Sequence, residues 1–299
     1  VDHVYEDGAC IWCGEEETQV RWYSGTTSLK GTIDLNMYVI LSENLVNDPE
    51  TFVRFTFEYR QVDVPMADAL ESIFDNGVVA YRFSCPLYAK QVADEVVVQV
   101  MRGDTPVGEP KAYSAMQYCK NLIKKNQDPK QVAMCKAMLN YATAAQLLFN
   151  YHTDNLANAS LSDADKNLPD VDASAFKYTV SNNQQPGIKA RSATMMMESE
   201  IRIRVYFELK NGHSIEEYTF TIDGVEVQPQ QNADGWFIES EGILAKEMEN
   251  MHDFCFGGIT VHYGALSYVN SKLKSSDPLE VNLAKALYAY YIAAEALLG

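Results

Sequence analysis

His3, Cys10 and Cys13 open the sequence with its closest grouping of side chains that could hold a metal. A Cys-x-x-Cys pair with a histidine nearby supplies three of the soft ligands zinc accepts, whereas a structural zinc site uses four. No fourth ligand lies close by: Cys85 and Cys255 read as strand residues, and His152 lies far along the chain. Two readings stay open. One is a flexible tail or a Cys10–Cys13 disulfide; the other is zinc held by His3, Cys10 and Cys13 and completed by a neighbouring chain or an upstream segment. A thioredoxin-like redox role would need a βαβ context after the pair, and none follows.

Other catalytic signatures are missing. There is no Gly-x-Ser-x-Gly, no helical His-Glu-x-x-His and no glycine-rich phosphate loop. The 41 acidic residues guarantee chance carboxylate pairs, but runs such as Glu15-Glu16-Glu17 and Glu239-Ser240-Glu241 read as solvated faces. Asp163, Asp165 and Asn167 mimic the start of a calcium loop, yet Leu168 stands where the turn needs glycine and Ser174 where a bidentate Glu belongs. Asn158-Ala159-Ser160 is a formal glycosylation sequon. Trp22, Tyr23 and Trp236 are candidate ligand-binding residues, since exposed coplanar rings would stack on sugars; packing between layers is the alternative.

The elements that position these residues follow from a repeat. Asp128-Pro129-Lys130-Gln131-Val132 and Asp277-Pro278-Leu279-Glu280-Val281 open segments that align without a gap. Lys136/Lys285, Ala137/Ala286, Tyr141/Tyr290, Ala144/Ala293, Ala145/Ala294 and Leu148/Leu297 are identical. Upstream, Tyr113-Ser114-Ala115 matches Tyr263-Gly264-Ala265, and 33–41 resembles 201–209 with Tyr38 facing Tyr206. Each half begins with strands, because apolar residues alternate with polar ones in both. Asp223-Gly224 is a strong two-residue hairpin signal. Each half ends with helices: Asp128 and Asp277 are good N-caps, followed by proline at the first helical position. Met134, Met138, Tyr141, Ala145 and Leu148 form one apolar stripe, repeated by Leu283, Leu287, Tyr290, Ala294 and Leu297.

The expected fold class is therefore α+β: two tandem copies of a small antiparallel β-sandwich, each followed by a helical hairpin. Residues 1–17 form the Cys-x-x-Cys tail, 18–152 the first module, 153–175 an exposed linker rich in Asn, Asp, Ala and Ser, and 176–299 the second module. Cys119 and Cys135 sit in helical patterns, as buried thiols or as a bridge between helices.

Composition narrows the partners. The 299 residues are 47% hydrophobic and 11% aromatic, which is ordinary for a globular chain. A net charge of −17 argues against nucleic acid or an anionic membrane surface, and no run of about 18 apolar residues exists to span a bilayer. The sequence begins at Val1 and reads as a mature fragment or excised piece, so a missing leader is uninformative.

The stretch Ala137-Met138-Leu139-Asn140-Tyr141 through Phe149-Asn150-Tyr151, then Thr153-Asp154-Asn155-Leu156-Ala157-Asn158, resembles a repeat common in large secreted and cell-surface proteins of gut Firmicutes. The opening His3, Tyr5, Gly8, Cys10, Cys13 and Gly14 resembles the H-x-Y-x-x-G-x-C-x-x-C-G segments that separate domains in the same proteins. The second half departs from the pattern by lacking the Asn-Tyr and Asn-Leu-Ala-Asn ending. The resemblance implies an extracellular or cell-surface location and an accessory role, and it implies no catalytic residue. The expected function is a non-catalytic module pair acting as spacer or adhesive unit, with glycans or other surface proteins as partners. The alternatives are a carbohydrate-binding module and a secreted hydrolase whose site no motif announces.

Overall fold

The computed structural model describes residues 4–6, 9–14, 20–28, 32–125, 128–182, 185–198 and 200–299. The fold is α+β, with every pairing between described strands antiparallel. Two compact units divide the chain. Val1–Ser28, Asp34–Leu87 and Val92–Asn121 form unit 1; Leu29–Ile33, Tyr88–Gln91 and Leu122–Gly299 form unit 2.

Unit 1 opens with the small hairpin β1 (Tyr5–Glu6) and β2 (Ala9–Cys10). There follow β3 (Val20–Thr27), β4 (Asp34–Leu41), the short helix α1 (Glu43–Val46), β5 (Thr51–Thr56), β6 (Gln61–Pro65) and β7 (Leu70–Ile73). β8 (Val79–Pro86), β9 (Val96–Arg102) and β10 (Thr105–Tyr113) complete its strands, and α2 (Ala115–Lys125) begins here. The sheets run β3-β4-β8-β7 and β10-β9-β5-β6. Alternation works as the sequence predicts. Leu35, Met37, Val39 and Phe83 are buried in the first sheet, and Val53, Phe55, Val96, Val98 and Val100 in the second. Tyr113 fastens β10 to β3 by donating its hydroxyl to the Gly25 carbonyl at 2.7 Å. A Cβ on Gly25 would come within 2.9 Å of that ring, so this close approach requires glycine.

Unit 2 contains α3 (Pro129–Leu148), α4 (Asp163–Lys166), β11 (Thr179–Ser181), β12 (Ile188–Met197), β13 (Ile201–Leu209) and β14 (Phe220–Ile222). Then come β15 (Val225–Glu226), β16 (Gln230–Asn232), β17 (Gly235–Glu239), β18 (Met251–Phe256), β19 (Ile259–Gly264), α5 (Ala265–Lys272) and α6 (Pro278–Leu298). The sheets run β12-β13-β17-β16 and β11-β19-β18-β14-β15. They meet through aromatic rings: Phe207 of β13 lies 4.9 Å from Phe220 and 5.2 Å from Phe256.

Pairing follows the same plan in both units. The order β3-β4-β8-β7 corresponds to β12-β13-β17-β16, and β10-β9-β5-β6 to β19-β18-β14-β15. The register agrees as well. A bulge interrupts β3–β4 between Trp22 and Ser24 and β12–β13 between Ala190 and Ser192. Tyr38 and Tyr206 stand opposite the serine in each.

The long helices start as expected. Asp128 accepts from the Lys130 amide at 2.9 Å and Asp277 from the Leu279 amide at 2.8 Å, each with proline next in the chain. α3 packs along α6, and the rings of Tyr141 and Tyr290 stack at 5.4 Å. The predicted α3 stripe is buried from Met134 to Ala145, but so are the polar Asn140, Thr143 and Gln146. The cause is residues 153–166, read from composition as an exposed linker. Gln146 accepts from the Ala157 amide at 2.9 Å, Thr143 from the Asn158 amide at 2.9 Å, and Asn140 donates to the Asp165 carbonyl at 2.8 Å. The segment thus buries Ala157 and Leu161. The Asn158 amide of the sequon is committed to Asn140 Oδ1 at 2.8 Å. In place of a calcium loop, 163–166 is the turn of α4, and Asp165 pairs with Lys136 at 2.8 Å. Lys285, the repeat counterpart of Lys136, pairs with Asp170 at 2.6 Å.

Replacing Tyr290 by Ala is expected to cost about 3–5 kcal/mol of stability in urea unfolding, as truncation of a fully buried aromatic does. A double-mutant cycle with Tyr141→Ala should return a coupling of about 0.5–1.5 kcal/mol. Strict additivity would show that the stacked rings contribute only through separate burial.

Candidate functional site

Between the two sheets of unit 2 lies a cavity of about 350 Å³. One wall is the β14–β15 hairpin, whose two turn residues, Asp223 and Gly224, have φ of 51° and 81°. Positive φ at both positions is the signature of a type I′ turn, which glycine adopts at no steric cost and aspartate tolerates. The turn directs the Asp223 carboxylate back over β18. There Oδ1 accepts from the Asp253 amide at 2.8 Å and Oδ2 meets His252 Nδ1 at 2.6 Å. Partial burial works to raise the Asp223 carboxyl, but the Asp253 amide and the imidazoles of His252 and His262 outweigh it and hold it below the ordinary carboxylate value. A carboxylate can only accept, so the hydrogen bond between the two carries its proton on His252 Nδ1. His252 Nε2 is buried and has no hydrogen-bond partner.

The opposite wall comes from β17 and the residues after it. Glu239 is held by Arg204 at 2.7 Å and by Arg202 at 3.4 Å, so its charge is compensated within the protein. Ser240 accepts from the Ile203 amide at 2.9 Å and donates to the Glu241 carbonyl at 2.8 Å, which occupies its hydroxyl structurally. Glu241 and Glu247 line the cavity beside the apolar side chains of Ile222, Val225 and Ile243. Carboxylates and an apolar wall suit a ligand that is a hydrogen-bond donor with some apolar surface.

The sequence-named residues lie elsewhere. His3 falls outside the described residues. Cys10 is buried at the end of β2, while Cys13 is exposed in the following turn. Among the described residues no group of three or more His, Cys, Asp or Glu side chains is placed to hold a metal. Cys135 is a buried free thiol. Trp22 is half-buried and spends its indole N–H on the Glu109 carbonyl at 2.9 Å. Tyr23 sits at the β3 bulge, 36% exposed, with its ring 4.3 Å from Phe74. Trp236 is half-buried in unit 2, opposite Phe207 in the ladder.

Comparison with protein-family models, curated proteins and solved structures returned no match. No helix among the described residues is long and apolar enough to cross a membrane.

The Asp223–His252 pair was not among the sequence candidates. Its one local signal is the Asp-Gly turn, which announces a hairpin without announcing what the carboxylate reaches 29 residues later.

A depressed carboxylate contributes stability above its unfolded-state pKa, and that contribution is lost as pH falls through the folded value. Asp165, Asp170, Glu217 and Glu280 are likewise lowered, by Lys136, Lys285, His213 and Lys272 respectively. Thermal melts should therefore hold steady from neutral pH to about pH 5 and fall below about pH 4. Asp223→Asn should melt lower at neutral pH and lose less on acidification. An acid limb identical to that of the wild type would remove Asp223 from this balance.

Proposed function

We propose that the chain is a non-catalytic pair of tandem modules from a larger extracellular bacterial protein, acting as a spacer that also carries a binding site. The observation that carries this reading is the shared strand order and register of the two units. On this reading each module, 18–152 and 176–299, is a β-sandwich with helices after it, joined by 153–175. The helices then pair across the repeat, since Tyr141 stacks on its counterpart Tyr290. The location outside the cell rests on the resemblance to repeats of gut Firmicutes surface proteins.

The chemistry around the cavity supports binding over turnover. His252 has a carboxylate partner, but the nearest hydroxyl on the opposite wall, Ser240, is tied into the β13–β17 connection. Glu239 has its two carboxylate oxygens engaged by arginines of the same sheet. A carbohydrate-binding reading is favoured by one feature, the exposed Tyr23 ring beside Phe74.

The chain should leave a panel of ester, glycoside and peptide substrates at the buffer rate. Turnover that disappears in His252→Ala would overturn the non-catalytic reading. On a glycan array, signal lost in Tyr23→Ala would establish the carbohydrate reading in its place.

A further inference from the structure

The two units differ most informatively at one hairpin. By ladder register, Val96 opposite Tyr113 in unit 1 corresponds to His252 opposite Tyr263 in unit 2. Two residues on, Val98 corresponds to Phe254, so Phe55 and Ile222, their partners on the next strand, occupy equivalent places. Beyond that rung the units diverge. Unit 2 turns at once through Asp223-Gly224, because Ile222 already pairs with Val225. Unit 1 continues through the Thr56–Gln61 pair, and the Phe57 amide then donates to the Arg60 carbonyl.

Those extra rungs close the end of unit 1. Phe57 is 5% exposed, and the Arg60 guanidinium lies 4.2 Å from the centre of its ring. Arg60 Nη2 donates to the Pro86 carbonyl at 2.7 Å. Pro86 lies four residues after Arg82, the partner of Tyr38, and four residues after Phe237, the partner of Tyr206, lies Glu241. Where unit 1 has its own Phe57 and Arg60, unit 2 has the 350 Å³ cavity.

The lining of that cavity fits what unit 1 places there. Apolar Ile222, Val225 and Ile243 can cover the flat faces of a weakly hydrated guanidinium. His252, held by Asp223, is among the residues that line it, and Glu241 and Glu247 supply negative charge that Arg202 and Arg204 leave uncompensated, being engaged by Glu200 and Glu239. We propose that the cavity is a receptor site for a guanidinium group, an arginine side chain presented by a partner protein. This rests on the reading of the chain as a binding module and names the ligand of that reading.

The test is a titration of the whole chain, followed by the imidazole signals of His252 in NMR, with Nα-acetyl-arginine methylamide as probe. Saturable shifts at His252 with a dissociation constant near ~1 mM are expected for so small a ligand. The uncharged norleucine analogue should produce no saturation. Glu241→Gln combined with Glu247→Gln should weaken binding ~10-fold or more, as loss of charge-assisted hydrogen bonds does. Glu226→Gln, on the neighbouring strand outside the cavity, should leave it unchanged. An arginine-containing peptide binding more tightly than agmatine identifies a protein source; equal or tighter binding of agmatine overturns that part of the proposal. No shift at His252, equal binding of the norleucine analogue, or an unaffected double variant each overturns the site. If arginine fails while the substrate panel stays silent, the inference falls and the module reading stands. Turnover lost in His252→Ala removes the module reading whatever the titration gives.

Discussion

The seam between α3 and α6 is the contact on which unit 2 depends. Each helix carries small residues at Ala137, Ala144 and Ala145 or at Ala286, Ala293 and Ala294, all buried, with a buried tyrosine among them. Small side chains allow backbones to approach, and the large ring then fills what the small ones leave. Because α3 is also covered by residues 153–166, it has no solvent face along most of its length, and its polar side chains must find partners inside. Asn140, Thr143 and Gln146 do so by receiving the backbone that folds over them. Polar groups in α3 therefore fix the path of the chain that follows it, and a hydrophobic replacement there would leave a backbone amide at Gln146 or Thr143, or a backbone carbonyl at Asn140, without its partner.

The second constraint is hairpin length. A hairpin two rungs longer in unit 1 adds a buried aromatic ring and a guanidinium beside it; the hairpin of unit 2 is shorter, and a cavity lined by apolar side chains and carboxylates lies beside it. The tight turn has its own requirement. Asp223 holds a positive φ, and its carboxylate gathers an amide and an imidazole that would otherwise lack partners. One residue thus stabilises the turn and orients His252 toward the cavity.

What the sequence made legible was local. Asp128 and Asp277 cap their helices, proline follows each, and apolar residues alternate along β4, β5 and β13 because those signals depend on a few neighbouring positions. The cavity was not legible in this way. It follows from a difference of two rungs between distant hairpins, and from a histidine whose partner lies on another strand. The burial of Asn140, Thr143 and Gln146 was not legible in the apolar stripe either, since the return of the chain across them is what makes their face internal. Trp22, a candidate for sugar stacking or for packing between layers, donates its indole N–H to β10.

The overall charge bears on which ligand could reach such a cavity. With 41 acidic against 24 basic residues the protein carries a net charge of −17, so its field repels anions and draws cations at long range. Most of the structural ion pairs named above, Lys136–Asp165, Lys285–Asp170 and Arg204–Glu239, consume basic groups that are already in the minority. Each pairing takes one charge of each sign and leaves the surplus of −17 unchanged, and Glu241 and Glu247 at the cavity belong to that surplus. Steering of this kind acts on the rate of encounter and weakens with salt, whereas on the proposal made here discrimination between a guanidinium and a simple cation comes from the apolar side chains that line the cavity. Long-range charge selects the sign of the ligand, and the short hairpin of unit 2 sets its shape.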